Sequence, residues 1–415
     1  MLSKKQLALS IGATMVGNAL EWYEFYLYIL FTPLFSNLFF PSDIQGMSLV
    51  QALLVIAIGF LSRPFGAILF GYLGDKAGRR IALVSSIFLM TIPTFLIGCV
   101  PTYIQIGIMA PLLILTLRLL QGIPTGGEFT GAMCYLYEIS PPNRQGMMGS
   151  LVFFGSQIGA ILSISEFLLL ENCLTHHQIE EWGWRISFII GGLIGFGGWY
   201  LRRKIEETPS FNTLKKEGKI SSHPVWDSFQ KHRRPMIRAF FLTALTVAGW
   251  YLVFIFSPLY ASEIQRTVWG NELLITLFLI VLSNVCLPFL GWLGDKSYTR
   301  VLWIGSCLLV IVLAYPLYYF GMQVHFPLFL FLKIIMVIAL TVQFALLPKL
   351  LCELFPPAVR YSSVGISYNI ANVVVGGSSP FLALSLTKIT GDPYMPMYIL
   401  IACAFMSLFA LPKKH

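Results

Sequence analysis

Thr14, Gly17, Glu21, Glu24 and Tyr28 recur every three or four residues along an otherwise apolar stretch, so in a helix they share one face. A second stripe, Arg118, Gln121, Gly122, Thr125 and Glu128, has the same spacing in another apolar stretch, and Arg63, followed by Pro64, lies in a third. Ionisable groups at such positions are costly, which makes them functional candidates. The protonation of a buried carboxyl group responds to water access and to a nearby guanidinium, so these acids can load and release protons. A guanidinium presents a planar fork of donors that matches a carboxylate. Glu21, Glu24, Arg118 and Glu128 are therefore the candidate proton-coupling residues, with Arg118 controlling the charge of the acids. Tyr28, Arg63, Arg118 and Gln121 are the candidate substrate contacts. The competing reading is structural: a permanently ionised Glu–Arg pair that ties three helices together.

The elements that hold these residues must lie in a bilayer. The 415 residues are 56% hydrophobic and 11% charged, with a mean hydropathy of +0.75, whereas a soluble domain carries about 25% charge. Spans of about 20 apolar residues, enough to cross roughly 30 Å of hydrocarbon, are expected twelve times, in two sets of six. Counted from Ala8 at about 1.5 Å per residue, Glu21 lies roughly 20 Å into the first span, past the midplane. The net charge of +9 reflects topology and gives no reason to expect a nucleic-acid partner. Lys4, Lys5, Lys76, Arg79, Arg80, Arg202, Arg203 and Lys204 fall at ends that are cytoplasmic if the N-terminus is cytoplasmic, as the positive-inside rule requires. Both termini are then inside. The first apolar run follows Lys4 and Lys5 as in a signal peptide, but its length and its two acids argue for a retained helix.

The second half has no central carboxylate. It offers aromatic and uncharged polar groups, of which Trp250, Tyr251, Tyr368 and Asn369 complete the candidate substrate contacts, and Tyr361, Gly365, Tyr368, Asn369 and Asn372 share a face that reads as a cavity wall. Gly122 and Gly126, like Gly155 and Gly159, are spaced four apart and read as helix-packing positions. The seven cysteines and six histidines show no metal-ligand spacing. No catalytic constellation, metal or cofactor is expected; a proton gradient is the energy source.

The segment Gly71-Tyr72-Leu73-Gly74-Asp75-Lys76-Ala77-Gly78-Arg79-Arg80 returns as Gly291-Trp292-Leu293-Gly294-Asp295-Lys296-Ser297-Tyr298-Thr299-Arg300, and Glu138, Pro141, Pro142 and Arg144 return as Glu353, Pro356, Pro357 and Arg360. Two unrelated echoes at nearly the same offset indicate a duplicated unit, as in carriers built from parallel repeats. Residues 1–203 form the expected N-terminal bundle, 204–236 a solvated cytoplasmic linker and 237–415 the C-terminal bundle.

These motifs resemble the major facilitator superfamily: the first decapeptide matches its loop between helices 2 and 3, and Arg118-x-x-Gln121-Gly122-x-x-x-Gly126 its fourth helix. Gly17 to Phe25, Leu61 to Gly66, Gly126 to Gly131, Trp182 to Arg185 and Glu206 to Pro209 narrow the resemblance to metabolite:proton symporters, most of which have aspartate at the position of Glu24. The resemblance implies a bacterial inner-membrane carrier that imports a small carboxylate-bearing metabolite, an organic acid, amino acid or betaine, together with protons. It also implies that Asp75, Arg79, Glu138 and Arg144 form a cytoplasmic gate. In the second copy Tyr298 and Thr299 replace Gly78 and Arg79, which argues against a matching second gate. The competing readings are a proton-coupled exporter of drugs or of a carboxylate siderophore, and a non-transporting receptor. The expected partners are the substrate, protons and lipid, and the expected state is a monomer.

Overall fold

The computed structural model describes residues 3–41, 47–256, 272–323 and 325–412. Among them there is no β-strand. The long helices are α1 (Lys4–Phe39), α2 (Met47–Lys76), α3 (Arg79–Cys99), α4 (Met109–Ile139), α5 (Gln145–Cys173) and α6 (Trp184–Arg202). After two short helices, Pro209–Lys216 and Pro224–Lys231, come α7 (Arg233–Gly249), α8 (Glu272–Leu293), α9 (Thr299–Met322) and α10 (Phe326–Glu353). The helix α11 begins as Arg360–Ala371 and continues through the π-helical turn Asn372–Gly377 into Ser379–Thr390; α12 is Met395–Ala410. Seven helical stretches among the described residues are long and apolar enough to cross a bilayer, and one of them, Glu272–Met322, contains both α8 and α9. The end of the seventh expected span, 257–261, lies outside the described residues.

Large apolar side chains such as Leu61, Phe65, Val285, Phe381 and Phe409 are exposed. Such a surface is an aggregation hazard in water and a solvation shell in lipid. The chain is a multi-pass membrane protein.

Two compact units are found, and each takes in a short segment from the other half of the chain. One comprises Met1–Ile139, Gly155–Val225 and Pro357–Ile366, the other Ser140–Phe154, Trp226–Pro356 and Ser367–His415.

In the first unit α2 and α4 approach closely because glycines face backbone. A Cβ on Gly126 would meet the Ala67 nitrogen at 2.7 Å, and one on Gly122 would meet the Gly59 carbonyl carbon at 3.1 Å. Gly155 and Gly159 serve α5 in the same way, against Met15 and Ala19 of α1. Replacing Gly126 with valine is expected to destabilise the protein by about 1–3 kcal/mol through overpacking, read as a lowered detergent melting temperature. An aromatic cluster fills one end: Phe35 sits 5.1 Å from Trp184 and 5.2 Å from Tyr28, ring centre to ring centre. In the second unit Phe153 stacks on Phe344 at 5.2 Å and Trp250 on Phe254 at 4.8 Å.

The linker is not a solvated tether along its whole length. Ile205, Thr208 and Phe211 are buried, and Thr208 caps the short helix that follows by accepting from the Phe211 amide at 3.3 Å. Thr208 as N-cap with Pro209 at the first helical position stops and restarts the chain there.

Candidate functional site

Helices α1, α2 and α4 of the first unit surround a cavity of about 40 Å³ lined by Glu21, Glu24, Phe25, Tyr28, Gly59, Phe60, Arg63, Arg118, Gln121, Gly122 and Thr125. The polar stripe of α1 turns inward here because the remaining faces of that helix are apolar and can meet its neighbours. Close packing at Gly122 and Gly126 brings α2 and α4 together, and Arg63 and Arg118 both line the cavity between them.

Charges in the cavity are only partly neutralised by protein. Arg63 Nη2 lies 3.7 Å from Glu21 Oε1, and its guanidinium lies 4.4 Å from the Phe60 ring centre. Glu24 accepts from Thr94 and, at 2.7 Å, from the Gln121 amide. Arg118 stacks over Tyr28 at 3.6 Å. Its Nε and Nη2, the Tyr28 hydroxyl, Glu21 Oε2 and Gln121 Oε1 are buried without a hydrogen-bond partner among the described residues. Unused buried donors are costly, and two guanidinium nitrogens beside a phenol can bind a carboxylate. Six of the sequence-derived site residues, Glu21, Glu24, Tyr28, Arg63, Arg118 and Gln121, therefore converge in one place.

Glu128 lies elsewhere in the unit. Arg202, whose position at a span end suggests a topogenic charge, is fully buried and binds Glu128 with both Nη atoms, the Nη1 contact being 2.6 Å. It also donates to the carbonyls of Ala13, Leu83 and Thr14 at 3.1, 2.8 and 3.2 Å. All five guanidinium hydrogens are used, and α1, α3, α4 and α6 meet at one side chain. Ser86 adds a 2.6 Å bond to Glu128. Replacing Arg202 with methionine is expected to cost about 3–5 kcal/mol because Glu128 is left as an unpaired buried charge. Thermal melts of both single variants and the double variant with Glu128→Gln check this: the double variant should be more stable than Arg202→Met alone.

In the same unit Asp75 caps α11. Its two carboxylate oxygens accept from the Tyr361 amide at 3.2 Å and the Ser362 amide at 2.8 Å, where a helix N-terminus favours negative charge. Arg79 pairs with Asp75 at 3.3 Å and with Glu138 at 3.1 Å, and Arg360 reaches Glu138 at 2.8 Å. The arginines on Glu138 in this unit are thus Arg79 and Arg360. Arg144, which the resemblance assigned to this network, belongs to the second unit and is exposed. Glu207, missed by sequence reasoning, caps α3 by accepting from the Arg79 and Arg80 amides at 3.1 Å each; burial raises the pKa of its carboxyl group. Tyr361, expected on a cavity wall, donates to the Gly127 carbonyl at 2.9 Å instead.

In the second unit the eroded decapeptide repeats the cap. Asp295 accepts from the Gly146 amide at 2.6 Å and the Met147 amide at 2.9 Å, at the start of α5. Lys349 is 3.4 Å away. Each copy has one positive-φ residue: Gly78, φ 118°, in the first and Ser297, φ 70°, one position earlier in the second. Asp295 thus makes a helix cap of the same kind as Asp75. Trp250, Tyr251, Tyr368 and Asn369 are all buried in this unit, and Tyr251 packs beside Gly376 of α11.

Membrane helices around a charged cavity, with helix ends capped by carboxylates, define a membrane transporter. The model of the Major Facilitator Superfamily matches residues 10–380, and the chain belongs to that family; it is a transporter and not an enzyme. It is 31% identical to the proline/betaine transporter of Salmonella typhimurium, over 97% of this chain and 82% of that one. It is 32% identical to the inner membrane metabolite transport protein YhjE of Escherichia coli, over 97% and 93%. The proton:xylose symporter XylE, solved with 6-bromo-6-deoxy-D-glucose, has the same fold, with a TM-score of 0.80 and 15% identity over 98% of this chain and 95% of that one.

Proposed function

We propose that the protein is a proton-coupled symporter of the bacterial inner membrane that imports a small carboxylate-bearing metabolite by alternating access. The observation that carries this reading is the cavity of the first unit, where buried acids stand beside arginine donors that no group among the described residues uses. Arg118, with Tyr28 and Gln121, binds the substrate carboxylate; Glu21 and Glu24 carry the coupled protons. Arg63 holds Glu21 when that acid is ionised. Within the second unit, Trp250, Tyr251, Tyr368 and Asn369 are further candidate substrate contacts, and their aromatic faces suit the cationic nitrogen of an amino acid or betaine. All of α1 to α12 cross the bilayer, with both termini cytoplasmic, and the monomer is the working unit. The Asp75, Arg79, Glu138 and Arg360 network is a cytoplasmic latch that opens once per cycle, as carriers of repeated bundles require.

The relatives named for proline, betaine and metabolite transport support the substrate class. A thermal-shift screen of purified protein against proline, glycine betaine, 2-oxoglutarate, citrate and xylose tests it. Stabilisation by a carboxylate-bearing compound, growing with concentration as mass action requires, is the expected result. Stabilisation by xylose alone would overturn the assignment.

A further inference from the structure

The short helix Pro224–Lys231 ends one residue before α7 begins, and from Trp226 on it belongs with α7 to the second unit. Its two faces differ. Pro224 and Ser228, four apart, are buried, whereas Trp226 and Phe229, three apart, share the opposite side and are 63% and 45% exposed. An outward-facing indole is at home where membrane meets water, its ring in the acyl boundary and its N–H among the headgroups.

Basic residues adjoin this face. Residues 224–238 hold one acid, Asp227, against Lys231, Arg233, Arg234 and Arg238. Lys231 spends its charge on Asp227, at 2.7 Å. The three arginines are exposed, and no acid pairs with them among the described residues. Their depth follows from α7. The apolar stretch Arg233–Ile255 is 23 residues long, which rises roughly 34 Å against about 30 Å of hydrocarbon. Arg233 and Arg234 therefore stand in the headgroup layer, and Lys231, two residues back, is at most about 7 Å from Arg233. His232 packs edge-on against Phe355, just past the end of α10, with ring centres 6.5 Å apart. That contact fixes the junction at which the short helix meets α7.

We propose that the helix Pro224–Lys231 and the start of α7 form a lipid-docking surface in the headgroup layer, with Trp226 and Phe229 in the acyl boundary and Arg233, Arg234 and Arg238 binding the phosphates of anionic lipids. Charge complementarity selects this occupant. Exposed guanidinium groups form bidentate hydrogen bonds with phosphate, and the adjoining aromatic pair matches interfacial helices, which bind through buried apolar area together with attraction to anionic lipid. Continuity with α7 sets the face against the bilayer. The docked helix anchors the end of the linker, so the second bundle enters the membrane from a fixed point on its surface. Assignment to the cytoplasmic leaflet rests on the proposed placement of both termini; contact with the headgroup layer does not.

The full-length protein in nanodiscs tests this through Trp226, whose emission is taken as wild type minus Trp226→Phe. The discs contain phosphatidylcholine and phosphatidylglycerol, one or the other brominated along its acyl chains. The Trp226 signal should resist aqueous acrylamide. It should be quenched at a roughly fivefold lower mole fraction of brominated phosphatidylglycerol than of brominated phosphatidylcholine, the preference that one basic contact with an anionic surface gives. The triple variant Arg233→Gln, Arg234→Gln, Arg238→Gln should lose that preference; if it does not fold, wild type in high salt decides, because screening should remove the preference. Quenching by acrylamide but not by lipid would put the helix in water, equal quenching by both lipids would remove the anionic partner, and resistance to all three quenchers would give the face to a protein. Each of these overturns the proposal, as does a preference that survives both the triple variant and high salt. Trypsin cleavage after Lys219, which is exposed, reports the side: cleavage in right-side-out vesicles would sink the cytoplasmic placement and leave the lipid contact standing.

Discussion

Substrate binding is expected to weaken on the order of 100-fold when Arg118 is replaced by alanine, equivalent to about 3 kcal/mol for truncating one partner of a desolvated charge pair. The magnitude follows from the surroundings of this side chain. It is 8% exposed, its guanidinium lies 3.6 Å above the Tyr28 ring, and two of its nitrogens have no acceptor among the described residues. Arg118→Lys keeps the charge and loses the planar fork, so about a tenfold weakening is expected, a pair contributing less when one of two parallel hydrogen bonds is gone. Ligand-dependent melting shifts with the stabilising compound measure both variants. Leu119→Ala on the same helix, at an exposed position, serves as the control that leaves binding unchanged. Equal stabilisation of wild type and Arg118→Ala would remove Arg118 from the site.

Asp75→Asn is expected to release the start of α11. The carboxylate accepts from two successive backbone amides and pairs with Arg79, whereas asparagine offers one acceptor oxygen and no charge. Losing a cap and part of a buried ion pair costs about 2 kcal/mol, a shift of roughly 30-fold in the latch equilibrium. Hydrogen exchange reads this locally: the amides of Tyr361 and Ser362 should exchange about 30-fold faster in Asp75→Asn, with uptake falling in protein that reaches the membrane. Unchanged protection of these amides together with wild-type uptake would refute the latch.

The cavity was largely legible because membrane depth makes polar residues conspicuous. Glu21, Glu24, Tyr28, Arg63, Arg118 and Gln121 interrupt apolar runs at helical spacing, and a helix that must bury a polar stripe turns it toward other such stripes. Arg202 was illegible for the opposite reason. It closes an apolar run beside Arg203 and Lys204, where positive charge is expected on topological grounds, and only the tertiary structure shows it buried on Glu128. Arg360 could not be placed on Glu138 from local sequence, because their contact joins residues 222 positions apart.

Substrate-dependent acidification of the vesicle lumen tests the central claim most directly. Protein reconstituted into liposomes with an internal pH dye is given proline, glycine betaine, 2-oxoglutarate or citrate outside, at equal starting pH. Wild type should acidify the lumen with the compound that stabilises it, and the double variant Glu21→Gln, Glu24→Gln should bind that compound without acidification. Alkalinisation by wild type, or acidification that persists in the double variant, would contradict a symporter coupled through these two acids.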